Sequence, residues 1–293
     1  MKTASYILAA AATLTGVDAY WKGFNVQATR ADGQCKTQAD WERDFNAMKG
    51  LPGGFSSMRV YASSDCNTLA NAVPAAINTG GQILASVWTQ DEGHFEREKQ
   101  ALLSATQQHG TGWLVAVTVG SEDLYRKETS ASRLAEQIYD VRGMLTTVNG
   151  GSSIQVGHVD TWTAWVDGAN KAVIQACDFV GTDGYPYFQN TQANNIDQGY
   201  NLFWESTQAV RDVVNRVKPG AWVWITETGW PTAGPTENQA VPSLTNAQQY
   251  WSSVACSAFG SGHTFWYTLQ DFSASPSFGV LDANYNPKYN LAC

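Results

Sequence analysis

Basic residues are scarce in this chain: Lys and Arg total 18 against 26 Asp and Glu, a formal charge of −8, and the few present are dispersed. A polyanion-binding face needs clustered Lys and Arg, so nucleic acid is excluded as a partner, and acidity of this kind serves solubility. Glycine-rich phosphate loops are missing too. Gln27-Ala28-Thr29-Arg30 follows the first apolar run where a nucleotide-binding sheet would show GxGxxG, and no GxxxxGK[ST] occurs. The histidines His94, His109, His158 and His263 are widely spaced and form no HExxH, so no metal site is expected, and no GxSxG elbow offers a serine nucleophile. Beyond the first residues no apolar run reaches the roughly 18 residues that cross a membrane. There is no linker-like tract, fixed-period repeat or Asn-x-Ser/Thr sequon, which points to one domain without N-glycans.

What is present begins with Lys2, the apolar stretch Tyr6 to Ala12 and a small-residue site at Val17-Asp18-Ala19, the pattern of a signal peptide over residues 1–19. Cleavage after Ala19 and secretion, to the extracellular space or cell wall, are expected. Five cysteines agree with export, since they allow at most two bridges and leave one thiol. The sequence does not fix the pairing. The preferred one joins Cys35 to Cys66, near the first two strand–helix units, and Cys256 to Cys293, which ties down the chain end; Cys177, just before an apolar run, is then an inert buried thiol. With no Ser/Thr-rich stalk and apolar tail before Cys293, no GPI anchor is expected.

With 43% hydrophobic and 15% charged residues, the 293-residue chain can bury one large core. Short apolar runs alternate with stretches of helical spacing. Eight runs stand out: Gly23 to Val26, Met58 to Ala62, Ile83 to Trp88, Leu114 to Val119, Ile154 to Val159, Phe179 to Thr182, Trp222 to Thr226 and Thr264 to Thr268. Helical candidates are Gln38 to Met48, Phe95 to His109, Ser132 to Val148, Asn201 to Arg216 and Asn246 to Phe259. Count and order predict an α/β fold of the (β/α)8 TIM-barrel type over residues 20–293.

Such barrels place chemistry at the C-terminal ends of their strands. Glu122 follows the fourth run and Glu227 ends the seventh, at Trp224-Ile225-Thr226-Glu227-Thr228-Gly229-Trp230-Pro231, and strands four and seven face one another across a barrel mouth. Glycoside hydrolysis needs a facing pair of this kind, one carboxyl to protonate the departing oxygen and one to attack the anomeric carbon; a gap of roughly 5 to 5.5 Å implies retention. As proton donor, Glu122 needs a partly apolar setting beside the charge of Glu227, whereas Glu227 must stay ionised and receive hydrogen bonds. Asp91, Glu92, Asp123, Asp160 and Asp183 also follow strands and read as supporting or solvated groups. Aromatics make up 12% of the chain. Several follow strands, where flat rings can stack on sugars; Tyr185 and Trp230 are the strongest candidates, while Trp222 and Trp224, alternating along one strand, read as structural.

These residues resemble a known family. Val119-Gly120-Ser121-Glu122 is similar to the acid/base motif of glycoside hydrolase family 17, the β-1,3-glucanase family of plants and fungi, and Thr226 to Pro231 is similar to its nucleophile motif. Met58-Arg59-Val60-Tyr61, Gly184-Tyr185-Pro186-Tyr187-Phe188 and Phe278-Gly279-Val280-Leu281 extend the resemblance over nearly all of the mature chain. It implies a retaining hydrolase that cleaves internal β-1,3-glucosidic bonds, with β-1,3-glucan as partner, Glu122 as acid/base, Glu227 as nucleophile, and no metal or organic cofactor. A glucanosyltransferase using the same residues is the alternative, and a non-catalytic glucan-binding protein the more remote one. A monomer is expected. The resemblance also sets Tyr61 beside the nucleophile as the donor to Glu227, against a reading in which it packs the barrel mouth, and gives Asp271 a substrate-binding or supporting place. One position departs from the pattern. The family usually has Asn before the acid/base glutamate, where its amide reaches the sugar 2-hydroxyl; Ser121 is shorter and reaches only through a water, which implies slower catalysis or an altered choice between water and sugar acceptors.

Overall fold

The computed structural model describes residues 20–293; the expected signal peptide lies outside the described residues. Eight parallel strands close into a barrel in chain order. They are β1 Lys22–Asn25, β2 Ser57–Arg59, β3 Gln82–Val87, β4 Leu114–Ser121, β5 Val156–Thr161, β6 Phe179–Asp183, β7 Trp222–Glu227 and β8 Thr264–Trp266. Closure sets Lys22 opposite Thr264 and Phe24 opposite Trp266. Between the strands run α1 Gln38–Lys49, α2 Thr68–Thr79, α3 Glu92–His109, α4 Ala131–Leu145, α5 Trp162–Val166, α6 Lys171–Ala176, α7 Gly199–Val217, α8 Leu244–Tyr250 and α9 Cys256–Ser261. This is the (β/α)8 architecture that the alternating runs predict.

Parallel strands covered on both faces lose the in–out alternation of polar and apolar residues and read as continuous apolar runs. Along β3, β4 and β6 to β8, Leu84, Ala116, Phe179, Trp224 and Phe265 form one cluster inside the barrel, with the rings of Phe179 and Trp224 stacked at 4.1 Å. Their chain neighbours Ile83, Val117, Val180 and Ile225 belong to the larger core shared with the helices. Trp224 is therefore structural, as expected. Helix starts follow ordinary capping chemistry: Thr37 accepts from the Asp40 N–H while the Asp40 carboxylate accepts from the Thr37 N–H, and Asp91 accepts from the His94 N–H at 3.0 Å.

Several boundaries differ from the sequence reading. Helix α2 is absent from it because Pro74 falls mid-helix; the carbonyl that Pro74 leaves without a partner is that of Ala70, which lies at the exposed surface and can be solvated. The short α5 and α6 are likewise unanticipated. The helix expected over Asn246 to Phe259 is divided by a π turn at Trp251–Ala255. The fifth strand begins at Val156 because Gly151–Ser153 forms a 3-10 turn, and the second ends at Arg59, although the Val60 N–H still bonds Leu84 O at 3.1 Å.

Disulfides join Cys35 to Cys66 and Cys256 to Cys293, the preferred pairing. Cys177 is a buried free thiol whose pKa is pushed up to about 12 by burial. Among the described residues no helix is long and apolar enough to cross a membrane.

Candidate active site

At the end of β4 the chain turns sharply. Gly120 has φ of +76° and a Cβ there would lie 2.2 Å from Asp123 Oδ2, so only glycine fits. The turn brings Glu122 into the left-handed region at φ +60° and lets its N–H bond Val159 O at 2.9 Å. Asp160, at the end of β5, then grips the loop: Oδ2 accepts from the Leu124 N–H at 2.9 Å and Oδ1 from the Tyr125 N–H at 3.3 Å. His158 backs it, with Nε2 at 3.0 Å from Asp160 Oδ2 and Nδ1 at 2.6 Å from Val119 O. Burial disfavours a charge on His158, but Asp160 outweighs it and raises the imidazole pKa.

Glu227 ends β7 and meets two donors. Arg59 Nη1 donates to Oε1, and the Tyr185 hydroxyl donates to Oε2 at 2.6 Å. Arg59, fully buried at the end of β2, also donates from Nη1 to Asn25 Oδ1 at 2.8 Å and from Nη2 to Ser121 Oγ at 3.0 Å. Burial weakens the charge on Arg59, but Glu227 and Asp183 restore it and raise its pKa. A buried guanidinium without such partners would cost several kcal/mol.

Across the mouth, an oxygen of Glu122, one of Glu227 and one of Asp183 all lie within 4.8 Å of one another. Burial first, then the charge of Glu227, raises the pKa of Glu122, while Arg126, with Nη2 at 2.7 Å from Oε2, pulls it down. Glu122 is thereby drawn toward its protonated form, as a proton donor requires, while Glu227 is held by two hydrogen-bond donors.

The structure brings Glu122, Ser121, Tyr185 and Glu227 together and corrects three expectations. Tyr61 does not donate to Glu227: its hydroxyl has no partner among the described residues and its ring packs against the Arg59 guanidinium at 4.9 Å, while Arg59 and Tyr185 take the donor roles. Trp230 does not face the cleft. It is 1% exposed, its indole N–H donates to Val241 O at 3.1 Å and its ring packs on Tyr187 and Tyr250, because the turn after β7 carries it into the core. Asp271 is spent on its own loop, accepting from the N–H groups of Phe278 and Gly279, from the Ser277 hydroxyl at 3.1 Å, and lying 3.7 Å from Lys288 Nζ.

Arg59, Arg126 and Asp183 were not singled out as site residues from sequence. A lone Arg inside an apolar strand is itself the signal for Arg59, since it demands a buried carboxylate partner. Arg126 stands one helical turn after Glu122 in the string Glu122-Asp123-Leu124-Tyr125-Arg126, and nothing local marks it.

A cleft of about 650 Å³ opens beside the carboxyls, lined by Glu122, Asp183, Tyr125, Trp162, Tyr185 and Phe188 among others, with Gln189 to Gln192 at its edge. Tyr125 and Phe188 are largely exposed rings with no core to fill. Among the described residues, two clusters of possible ligands come close enough to share a cation, Glu122/Asp183/Glu227 and Asp65/His94/Glu98. In the first, Arg59 and Arg126 already supply countercharge; in the second, Glu98 accepts from the Ser63 and Ser64 N–H groups at 2.6 and 2.7 Å and is satisfied without one.

Known proteins are similar to this chain. A "Probable glucan endo-1,3-beta-glucosidase" of Aspergillus fumigatus is 41% identical over 315 residues, covering 99% of this chain and 69% of its own length. The "Glucan 1,3-beta-glucosidase" of Schizosaccharomyces pombe is 35% identical over 282 residues, covering 92% of this chain and 86% of its own. Among solved structures, an active-site mutant of the Rhizomucor miehei β-1,3-glucanosyltransferase in complex with laminaritriose superposes with a TM-score of 0.81 at 23% identity, over 95% of this chain and 99% of that one, which establishes the common fold. The BtgE/BtgC glycoside hydrolase domain model matches residues 23–279. By that match, and by the two glutamates its barrel sets face to face, the chain belongs to the BtgE/BtgC glycoside hydrolase domain family, of the family-17 type that its motifs resemble.

Proposed function

We propose that the protein is a secreted, retaining glycosidase that cleaves internal β-1,3-glucosidic bonds of β-1,3-glucan. The observation that carries this reading is the pairing of Glu122 and Glu227, with oxygens within 4.8 Å of each other, Glu122 drawn toward its acid form by burial and Glu227 held by Arg59 and Tyr185. Oxygens no more than 4.8 Å apart are compatible with the close carboxyl pairs, roughly 5 to 5.5 Å apart, of retaining enzymes. Glu122 passes its proton to the glycosidic oxygen as a Glu227 oxygen bonds the anomeric carbon and the leaving glucan departs. Glu122 then takes a proton from water, whose oxygen bonds the anomeric carbon and releases Glu227. Arg59 and Tyr185 hold and aim Glu227. The two disulfides and the leader sequence support an oxidising, extracellular setting, and a monomer suffices because every residue of the constellation comes from one chain.

A second reading has specific support. The aromatic-lined cleft borders Glu122 rather than Glu227, so it lies on the side where the leaving glucan departs and where a sugar acceptor would enter. Tyr125, Trp162 and Phe188 offer ring faces on which that acceptor could stack, and a second glucan attacking the intermediate in place of water makes the enzyme a glucanosyltransferase.

The test is a product time course on a β-1,3-linked glucose hexasaccharide reduced at its end, with wild type and Glu227→Gln. Shorter products from wild type establish hydrolysis, longer ones transfer, and loss of both in the variant assigns the nucleophile. Turnover of β-1,4-glucan or mannan in place of β-1,3-glucan would overturn the substrate, and binding without turnover would make the protein a glucan-binding module.

A further inference from the structure

Of the three carboxyls gathered at the barrel mouth, two have a cation. Arg126 pairs with Glu122 at 2.7 Å and Arg59 with Glu227. Asp183 makes no salt bridge among the described residues. It ends β6, is 2% exposed, and accepts one hydrogen bond on Oδ1, from the Thr226 hydroxyl at 2.9 Å; Oδ2 is buried and has no partner among the described residues.

A carboxylate in this place would add a third negative charge within 4.8 Å of two others and leave an oxygen stripped of water with nothing to accept. A carboxylic acid there carries an O–H to give. Asp183 lines the same cleft as Glu122 and Tyr185, so that O–H is placed beside the two catalytic candidates. We propose that Asp183 is held as the neutral acid and donates its Oδ2–H to a hydroxyl of the glucosyl unit seated between Glu122 and Glu227. The donation rests on the glucan-cleaving reading above; the protonation state does not.

The surrounding charges agree. Facing Asp183 are Glu122 just after β4, Glu227 and Thr226 from β7, Arg59 at the end of β2 with Tyr61 just beyond it, and Tyr185 after β6. Burial first, then Glu227 and Glu122, drives the Asp183 carboxyl well above the usual carboxylate range, against the opposing pull of Arg59 and the Thr226 hydroxyl.

Two variants test this. Asp183→Asn replaces the neutral acid by a neutral amide that can both accept from Thr226 and donate to the sugar, whereas Asp183→Ala removes the donor. Infrared difference spectra of wild type against Asp183→Asn at neutral pH should show the carbonyl stretch of a protonated carboxylic acid lost in the variant; disappearance of a carboxylate band instead overturns the proposal whether or not glucan is the substrate. On the β-1,3-glucan hexasaccharide, Asp183→Asn should keep kcat/KM within about threefold while Asp183→Ala loses about tenfold or more, the size of one lost hydrogen bond. Exchanging one neutral group for another should also leave the alkaline limb of the pH–rate profile where it is. A limb that moves to lower pH in Asp183→Asn would mean that a negative charge had been removed, and a variant Asn as inactive as Ala would mean that the carboxyl itself is required. Either result overturns the proposal, as does full activity in the Ala variant. If the Ala variant fails to fold, the spectrum and pH profile of Asp183→Asn still decide.

Discussion

Glu122 is pulled in two directions: burial and the charge of Glu227 raise its pKa, and Arg126, its partner one helical turn on, lowers it. The form that protonates the leaving oxygen is the acid, so activity falls as pH rises through that pKa. Arg126→Gln removes the lowering influence, and the alkaline limb of kcat/KM should therefore move to higher pH. The Arg126 side chain is 44% exposed, so the displacement should shrink at high salt. A limb that stays in place, or moves to lower pH, would show that Arg126 does not act on Glu122. At this scale the two glutamates were legible because an acid at the end of an apolar strand has few structural uses. Trp230 and Asp271 make no sugar contact for one shared reason, although Asp271 keeps its supporting place: sequence puts a residue after a strand but does not say whether the following turn aims it at the cleft or at the core. Tyr185 takes the donor role expected of Tyr61, whose ring packs against the buried Arg59 instead.

The element that decides the geometry of Glu122 is the turn from β4 into its loop. Gly120 supplies the positive φ, Asp123 fills the space a side chain would need, and Asp160 with His158 holds the next two N–H groups. Gly120→Ala should cost about 1–2 kcal/mol in backbone strain and force Asp123 to move. Because Glu122 is only two residues on, kcat should fall by about tenfold or more, out of proportion to a modest drop in melting temperature; misplacement of about 1 Å can cost roughly 100-fold. Unchanged kcat in a folded variant would show that the loop is positioned from its other end. Element order was readable from the apolar runs, since parallel strands buried on both faces announce themselves. What escaped were elements whose local signals conflict with their state: α2 with Pro74 inside it, the short α5 and α6, and the π turn that splits the last helix.

At the scale of the molecule, a barrel closes only if its last strand meets its first, and the strand that does so is short and weakly tied to the one before it. β8 has three residues and its pairing with β7 is a single register contact, Ile225 with Thr264. The chain end reinforces it. Cys293 is bonded to Cys256 on α9, and the tail reaches the first unit of the barrel through the Tyr285 hydroxyl, which donates to Asp44 at 2.6 Å beside the buried Lys36–Asp44 pair. The bridge spans 37 residues, and closing a loop of that length stabilises the folded state by about 4 kcal/mol in the chain-entropy description. Cys256→Ser with Cys293→Ser should therefore lower the melting temperature on the order of 10 °C. It should leave kcat/KM at 25 °C nearly unchanged, because Glu122, Asp183 and Glu227 are all held from strands outside the closed segment. Thermal melts of wild type with and without reductant, beside the double variant, make the check internal. The free thiol cannot blur it, since burial keeps Cys177 protonated and out of exchange. Equal melting temperatures would show that the tail is held by its packing alone, and lost activity at 25 °C would show that the seam, rather than the strand ends, sets the geometry of the site.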